Sequence, residues 1–506
     1  MRSVSTAMST DQRVGTAGQV CRVLPEAPYG SLHAYRRSGG GDGLKAARMV
    51  PPEVVIDEIA ASGLRGRGGA GFPTGEKWRT VRANASEVLR TSVVVNAAEG
   101  EPGTYKDRAL LLANPYAVLE GALIAAHAMD ATTVVIAIKA RFLDQIARLH
   151  SAIDEITEAG WCEGIDVRIV EGPAEYLFGE ETGLLEVLDG RPPFPRIAPP
   201  YRRGVTEVVR SEADPDPGSG LAANVQMATI NDASVAPPVL VNNVETMANI
   251  PAILALGSAW FRSVGTPDSP GTIVCTVTGA VTRAAVGEVA MGTSLRDIIE
   301  HVGGGLIEGR RVKAVLVGVS GAVLTADQLD VTVSHESMGA LGSGVGSAGF
   351  IVIGDDENVV GVASGVAHFL SIESCGQCTP CKSDGLAIAS LLSTAARGAA
   401  EPHGLELLTD LLGSVANEAR CGLARQQQTV VGSLLAHFEE DIRASFQVGS
   451  VATETPLIAE VLNIDNGTAS LDVTFADKQP DWSYEQTDSG KTPVERLAGH
   501  QDSDQA

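Results

Sequence analysis

The sequence predicts a multidomain protein that joins an α/β unit, a smaller α+β unit and a helical end. Three observations carry this. At 506 residues the chain exceeds what one hydrophobic core serves, so two to four domains are expected. Between residues 92 and 172, strand-like apolar runs alternate with helical periodicity, the pattern of a β–α–β unit. From Val359 onward the apolar spacing is helical only.

The elements follow in order. Residues 1–45 are small, polar and glycine-rich and read as a flexible N-terminal arm. From Pro51, "PPEVVIDEIAASGL" spaces its apolar residues as a helix does and stops at glycine. A buried strand over 92–95 opens into "NAAEGEPGTYKDR", and "TTVVIAIKA" is a second strand. Phe142, Ile146, Leu149, Ile153 and Ile156 then recur at steps of four and three, one face of an amphipathic helix. "IDVRIVEG" completes the unit. Ligands of such units lie beyond the carboxyl ends of the strands, where Asn96, Ala98 and Glu99 fall. "SEADPDPGSG" (211–220) reads as an acidic surface insertion. A hairpin ("TIVCTVTGAV", "GEVAMGTS"), a helix ("SLRDIIEHVGG") and a strand ("VKAVLVGV") make a compact α+β module over 265–335. Helices then fill 350–447, and 448–506 is an acidic, weakly periodic and partly disordered tail.

Composition narrows the function. The formal charge of −24 repels polyanions, and aromatics make up only 4%, which speaks against base-stacking surfaces and a nucleic-acid partner. The most apolar stretch, 117–131, is broken by Glu120, His127 and Asp130, so no direct membrane insertion is expected. Seven cysteines and no apolar leader point to the cytoplasm, or to the cytoplasmic face of a membrane through partners.

Three of those cysteines fall in "ESCGQCTPCKSDG". Cys375, Cys378 and Cys381 follow C-x2-C-x2-C, and Cys421 in the same helical region is the natural fourth sulfur. Four thiolates so arranged suit a [4Fe–4S] cluster; a zinc site and plain structural thiols are the alternatives. Cys21, Cys162 and Cys275 are isolated and read as apolar fillers.

Glycine is abundant, at 56 residues, and concentrates in "GLRGRGGAGFPTGEKW" (63–78) and "GALGSGVGSAG" (339–349), where backbone can approach a ligand or another strand closely. The first run is neither a P-loop nor a clean dinucleotide fingerprint. Taken alone, it is as well explained by a structural turn, and the carboxylates of 96–108 and 176–190 by solvated surface charge.

Taken together and in this order, "RGRGGAGFPTG.KW", "EPGTYKDR", "GEETGLLEVLDGR", "NNVET" and "ESCGQCTPC" resemble the NADH-binding flavoprotein (51 kDa-type) subunit of respiratory complex I and the related diaphorase subunits of NAD-linked hydrogenases and formate dehydrogenases. The resemblance spans roughly 45–440. It implies a Rossmann-like FMN- and NADH-binding domain (46–255), a ubiquitin-like β-grasp (SLBB) module (265–335) and a helical bundle carrying the [4Fe–4S] cluster (350–447). It further implies that Gly66, Arg67, Gly68, Gly69 and Lys77 hold the FMN phosphate and ribityl chain. Asn96, Glu99, Tyr176, Gly179, Glu180 and Glu181 would line the flavin, and Asn242, Asn243 and Thr246 would hydrogen-bond it. Phe72 would stack on the adenine side of the nicotinamide nucleotide, and Glu101 would meet its ribose. Tyr201, where relatives carry phenylalanine, is a further cofactor-binding position, and Glu99 and Glu181 are the candidate catalytic carboxylates.

The implied activity is that of an NADH dehydrogenase (diaphorase) subunit. A hydride passes from NADH to FMN, and single electrons pass through the cluster to a ferredoxin or a small [2Fe–2S] subunit, since a flavin exchanges electrons in pairs or singly. Two alternatives are an FMN/[4Fe–4S] relay that takes electrons from another protein and no longer binds nicotinamide, and a scaffold without cofactors. Some positions depart from the family's habit. Ala98 replaces an aspartate, Thr80 an aromatic and Ala198 a lysine, while Arg425 stands where small or apolar residues are commoner.

Overall fold

Four parallel strands, β1 (Ser92–Ala97), β2 (Thr133–Lys139), β3 (Asp166–Gly172) and β4 (Val239–Asn243), form a sheet in the order β3-β2-β1-β4. The structure is a computed structural model that describes residues 20–85, 90–201, 204 and 237–498. The valine run of β1 is explained by its position. Val93 and Val95 enter a large core beneath the helices Pro115–Met129 and Val244–Leu256, while Val94 enters a smaller one under Glu181–Leu188. A strand covered on both faces has no polar side to alternate with. The chain builds outward from β1 to β2 and β3, then adds β4 on the other flank, which opens a crevice between the carboxyl ends of β1 and β4. The helix Leu143–Glu158 buries Ile146, Leu149 and Ile156, the face its spacing predicted.

The described part of the expected arm is docked rather than flexible. Residues 32–37 and 42–48 are helical, and the buried carboxylate of Glu120 accepts from Gly41 N (2.8 Å), Leu44 N (2.9 Å) and the Tyr35 hydroxyl (2.9 Å). Glu288 holds the preceding turn through the backbone N–H groups of Arg22, Val23 and Leu24, each at 2.9 Å. A glycine-rich polar segment lacks an apolar stripe, but two buried carboxylates supply its anchors.

The second sheet has five strands in the order β6-β5-β9-β7-β8: β5 (Thr272–Gly279), β6 (Ala285–Ala290), β7 (Val312–Val317), β8 (Leu324–Thr325) and β9 (Gly349–Gly354). The helix Leu295–His301 covers it with Leu295, Ile298 and Ile299. β9 lies between β5 and β7, so the module reaches past the expected boundary at 335 and the helical region begins at Val359. "GFIVIG" is too short for periodicity to tell a strand from the start of a helix.

Val359–Glu373, Thr379–Ala396, His403–Ser414 and Leu423–His437 form the helical lobe around a third core. The tail departs most from expectation. Residues 448–498 are folded, with a hairpin of β10 (Val461–Asp465) and β11 (Thr468–Leu471). Glu460 pairs with Lys139 at 2.6 Å and with Arg141; Lys478 pairs with Glu373 at 2.7 Å, and Trp482 Nε1 donates to Ile372 O at 2.9 Å. Ion pairs and irregularly spaced buried side chains, Ile458, Val461, Phe475 and Trp482, fasten this segment. The insertion at 211–220 lies outside the described residues. Among the described residues no single helix is long and apolar enough to cross a membrane.

Candidate active site and cluster site

A cavity of about 620 Å³ fills the crevice at the ends of β1 and β4. Its walls include Gly66, Gly68, Gly69, Phe72 and Lys77 from the first glycine run, and Asn96, Glu99 and Glu101 after β1. Tyr176, Gly179, Glu180 and Glu181 close another side, with Asn242, Asn243 and Thr246 from β4 and the helix behind it. All the candidate cofactor residues therefore meet in one place except Arg67 and Tyr201.

The glycine run is shaped by backbone that only glycine adopts readily: Gly69 has φ 129° and Gly71 has φ 62°. At Gly71 a side chain would also run into the ring of His335. The loop is tied by Gly66 N to Phe72 O (2.9 Å) and by Arg67 N to Thr246 Oγ1 (2.8 Å). The Arg67 side chain leaves in the other direction. Its guanidinium donates to Thr272 O (2.9 Å) and Pro270 O (3.3 Å) of the second module and lies 3.8 Å from Glu245, away from the cavity. The expectation that Arg67 contacts the FMN phosphate is thus corrected: Arg67 braces the loop from behind. Glu245 is shared with Lys106 at 2.8 Å. Lys106 stays protonated because Asp107 and Glu245 outweigh the burial that opposes its charge. Tyr201 packs on the α/β core, outside the cavity wall.

The carboxylates divide by what holds them. Glu99 is buried against Arg108 Nε (2.9 Å) and Asp107 N (3.1 Å), and burial raises its pKa. It brackets the loop rather than standing free. Glu180 caps the helix Glu181–Leu188 through Thr182 N (2.9 Å) and Gly183 N (2.7 Å). Glu101 accepts from Val319 N (2.8 Å) and from the Tyr176 hydroxyl, and burial raises its pKa too. Glu181 is the least buried of these and pairs with Lys77 across the cavity. Asn96 fixes the floor, with its Nδ2 donating to Gly179 O at 2.8 Å.

Cys375 and Cys378 lie in the turn between the helices Val359–Glu373 and Thr379–Ala396, Cys381 in the first turn of the latter, and Cys421 just before Leu423–His437. All four line one small enclosed space with Leu177, Pro195, Leu423 and Ala424. Burial pushes Cys375 up to about 11 and Cys421 up to about 12. Lys382 supplies the nearby positive charge, held by Ser371 O (3.0 Å) and Ser374 O (2.9 Å). Cys421, Leu177 and Leu423 also line the larger cavity, so one layer of side chains separates the two sites.

Residues that sequence reasoning left out complete the larger cavity. Ser320, Gly344, Gly346 and Ser347 come from the second module, and Arg425, Gln426 and Thr429 from the helix after Cys421. The run 339–349 carried a visible signal for the first group, since Gly346 pairs with Gly69. For the second group the only signal was the unusual arginine.

Comparison with known proteins agrees with this anatomy. Residues 59–252 match the Nuo51 FMN-binding domain, 274–324 the SLBB domain and 361–445 the NADH-ubiquinone oxidoreductase-F iron-sulfur binding region. Over 433 residues the sequence is 34% identical to the F 2 subunit of the NADH-quinone oxidoreductase of Rhizobium meliloti (strain 1021), covering 83% of this chain and 96% of that protein. The chain belongs to the family of NADH-quinone oxidoreductase F subunits. Another member of its kin, the NADP-reducing hydrogenase subunit HndC of Solidesulfovibrio fructosivorans, is 34% identical over 425 residues, 82% of this chain and 80% of that one. A solved NAD+-reducing [NiFe]-hydrogenase in its H2-reduced state superposes with a TM-score of 0.70 at 30% identity, covering 83% of this chain and 67% of that chain. These relatives are parts of larger complexes by name.

FMN and a [4Fe–4S] cluster are the cofactors of this NADH-quinone oxidoreductase homologue, and the residues present fit both. The larger cavity has the volume of a cofactor site. Open backbone at Gly66, where an added Cβ would meet nothing closer than 3.6 Å, and the ammonium of Lys77 suit a phosphate. The smaller space offers four sulfurs in apolar surroundings, the donor set of a cubane.

Proposed function

We propose that this chain is the nucleotide-oxidising subunit of an NADH dehydrogenase (diaphorase), receiving a hydride from NADH and passing single electrons onward. The observation that carries this reading is the shared wall. Cys421 borders both the flavin-sized cavity and the cysteine-lined space, so the two redox groups lie within short electron-transfer range. FMN, when bound, supplies the conversion between paired and single electrons.

The chain's own residues provide the rest. The open backbone at Gly66 and the amides of Gly68 and Gly69, with Lys77, bind the phosphate end, while Asn96, Asn242, Asn243 and Thr246 orient the ring system. Glu99 and Glu180, each already held by donors, keep the walls rigid so that the site needs little reorganisation. Phe72, which is 52% exposed at the rim, offers a face to the nucleotide's adenine, and Glu101 and Glu181 offer carboxylates to its ribose hydroxyls. Electrons leave to a ferredoxin or a small [2Fe–2S] protein, because Cys21, Cys162 and Cys275 form no second constellation. A cytoplasmic setting suits four thiols that must stay reduced until the cluster is loaded.

A second reading, a flavin/iron–sulfur relay that does not use nicotinamide, draws on Thr80. A threonine, whose hydroxyl donates to Glu76 O (2.9 Å), offers no ring to stack on an adenine. Anaerobic stopped-flow mixing of FMN- and cluster-replete protein with NADH separates the two. Loss of flavin absorbance followed by a change in the iron–sulfur band is expected. An unbleached flavin at millimolar NADH would overturn the dehydrogenase reading.

A further inference from the structure

The walls of the larger cavity are unevenly charged. Glu99, Glu101, Asp107, Glu180 and Glu181 line it, against two basic side chains, Lys77 and Arg425. The whole chain carries a formal charge of −24. A nicotinamide dinucleotide brings at least two negative charges on its pyrophosphate, so its approach to this cavity is opposed at long range and at contact. Lys77 is tied to Glu181 and stands beside the glycine run, where the FMN phosphate is assigned. Arg425 belongs to the other lobe, in the first turn of the helix Leu423–His437. It is exposed, and among the described residues its guanidinium has no ion-pair or hydrogen-bond partner. Its neighbour Gln426 is anchored to the Tyr176 hydroxyl at 3.0 Å, which fixes the backbone from which the arginine extends.

We infer that Arg425 recognises a phosphate of the incoming nicotinamide dinucleotide, either the pyrophosphate common to NADH and NADPH or the 2′-phosphate of NADPH alone. A guanidinium presents paired N–H donors that match phosphate oxygens, and an unpaired one gives up no existing partner when the ligand arrives. The residue acts on affinity and specificity and takes no part in hydride transfer. This inference rests on the proposed nucleotide oxidation and refines it.

The test is anaerobic flavin bleaching of FMN- and cluster-replete protein titrated with NADH and with NADPH, for the native chain, Arg425→Gln and Arg425→Lys. In the glutamine variant the half-saturating concentration rises about tenfold or more for at least one nucleotide, as loss of a charged hydrogen bond predicts. The limiting rate and the flavin content stay unchanged, and lysine recovers part of the loss. A rise for both nucleotides assigns the pyrophosphate; a rise for NADPH alone assigns the 2′-phosphate. If Arg425→Gln matches the native chain within twofold for both nucleotides, the inference is overturned while the dehydrogenase reading stands. A native chain bleached by neither nucleotide removes both.

Discussion

Gln426 donates a 3.0 Å hydrogen bond to the hydroxyl of Tyr176, joining the helix that follows Cys421 to the segment that closes the larger cavity. The same hydroxyl donates to Glu101, which also accepts from Val319 N at 2.8 Å. Three lobes therefore meet at one phenol. Tyr176→Phe would take one donor from a buried carboxylate. A stability loss of about 1–3 kcal/mol is expected, read from the urea midpoint of the FMN-loaded protein. An unmoved midpoint would show that the junction contributes little.

Arg67 and Lys77 belong to the same glycine run and should behave in opposite ways. Arg67→Met removes the donor to the buried carbonyls of Thr272 and Pro270, while Glu245 keeps Lys106, so a stability loss of about 1–3 kcal/mol is expected. Lys77→Met removes a partly exposed pair with Glu181, worth less than about 1 kcal/mol to the fold, but weakens retention of FMN. Thermal melts combined with flavin release on dilution separate the two. If Arg67→Met melted normally and lost only FMN, its guanidinium would have to face the cavity after all.

Cys421→Ala is expected to lose the [4Fe–4S] cluster and keep FMN, because the glycine run, β1 and β4 supply most of the flavin cavity without it. Iron and acid-labile sulfide should fall while the flavin-to-protein ratio holds. Joint loss of both cofactors would mean that the two sites fold as one unit.

Glu288 gives a pH signature. Burial pushes its carboxyl from 4.5 to about 7. The folded state then binds the proton more tightly than the unfolded chain, so this group's contribution is fullest below pH 4.5 and is lost as the pH rises toward 7. Glu288→Gln keeps an oxygen for the N–H groups of Arg22, Val23 and Leu24 and does not titrate. The variant's melting temperature should fall less than the native protein's between about pH 5 and pH 8. Equal slopes would remove Glu288 as the source.

The fold was legible wherever a local pattern decides it. Val93 to Val95 could only be a covered strand, and the Cys375–Cys381 spacing with Cys421 already described a four-sulfur site. What stayed hidden depends on direction and distance. Sequence shows that Arg67 is basic, but the turn geometry around Gly69 and Gly71 decides which side it leaves from. Arg425 and Gln426 reach the cavity only because a helix far along the chain packs beside Tyr176. The tail concealed its order because Glu460 and Lys478 pair with residues distant in the chain and its buried side chains, Ile458, Val461, Phe475 and Trp482, are irregularly spaced, which leaves no periodic trace.

Val494 N donates to Cys375 O at 3.2 Å, and Thr492 stands against Gly376, so the tail closes over the loop that bears three of the four cluster sulfurs. These residues leave the ribosome after all four cysteines. Once docked, this stretch covers one side of the loop, so iron and sulfide arriving from that side meet the thiols only while it is undocked.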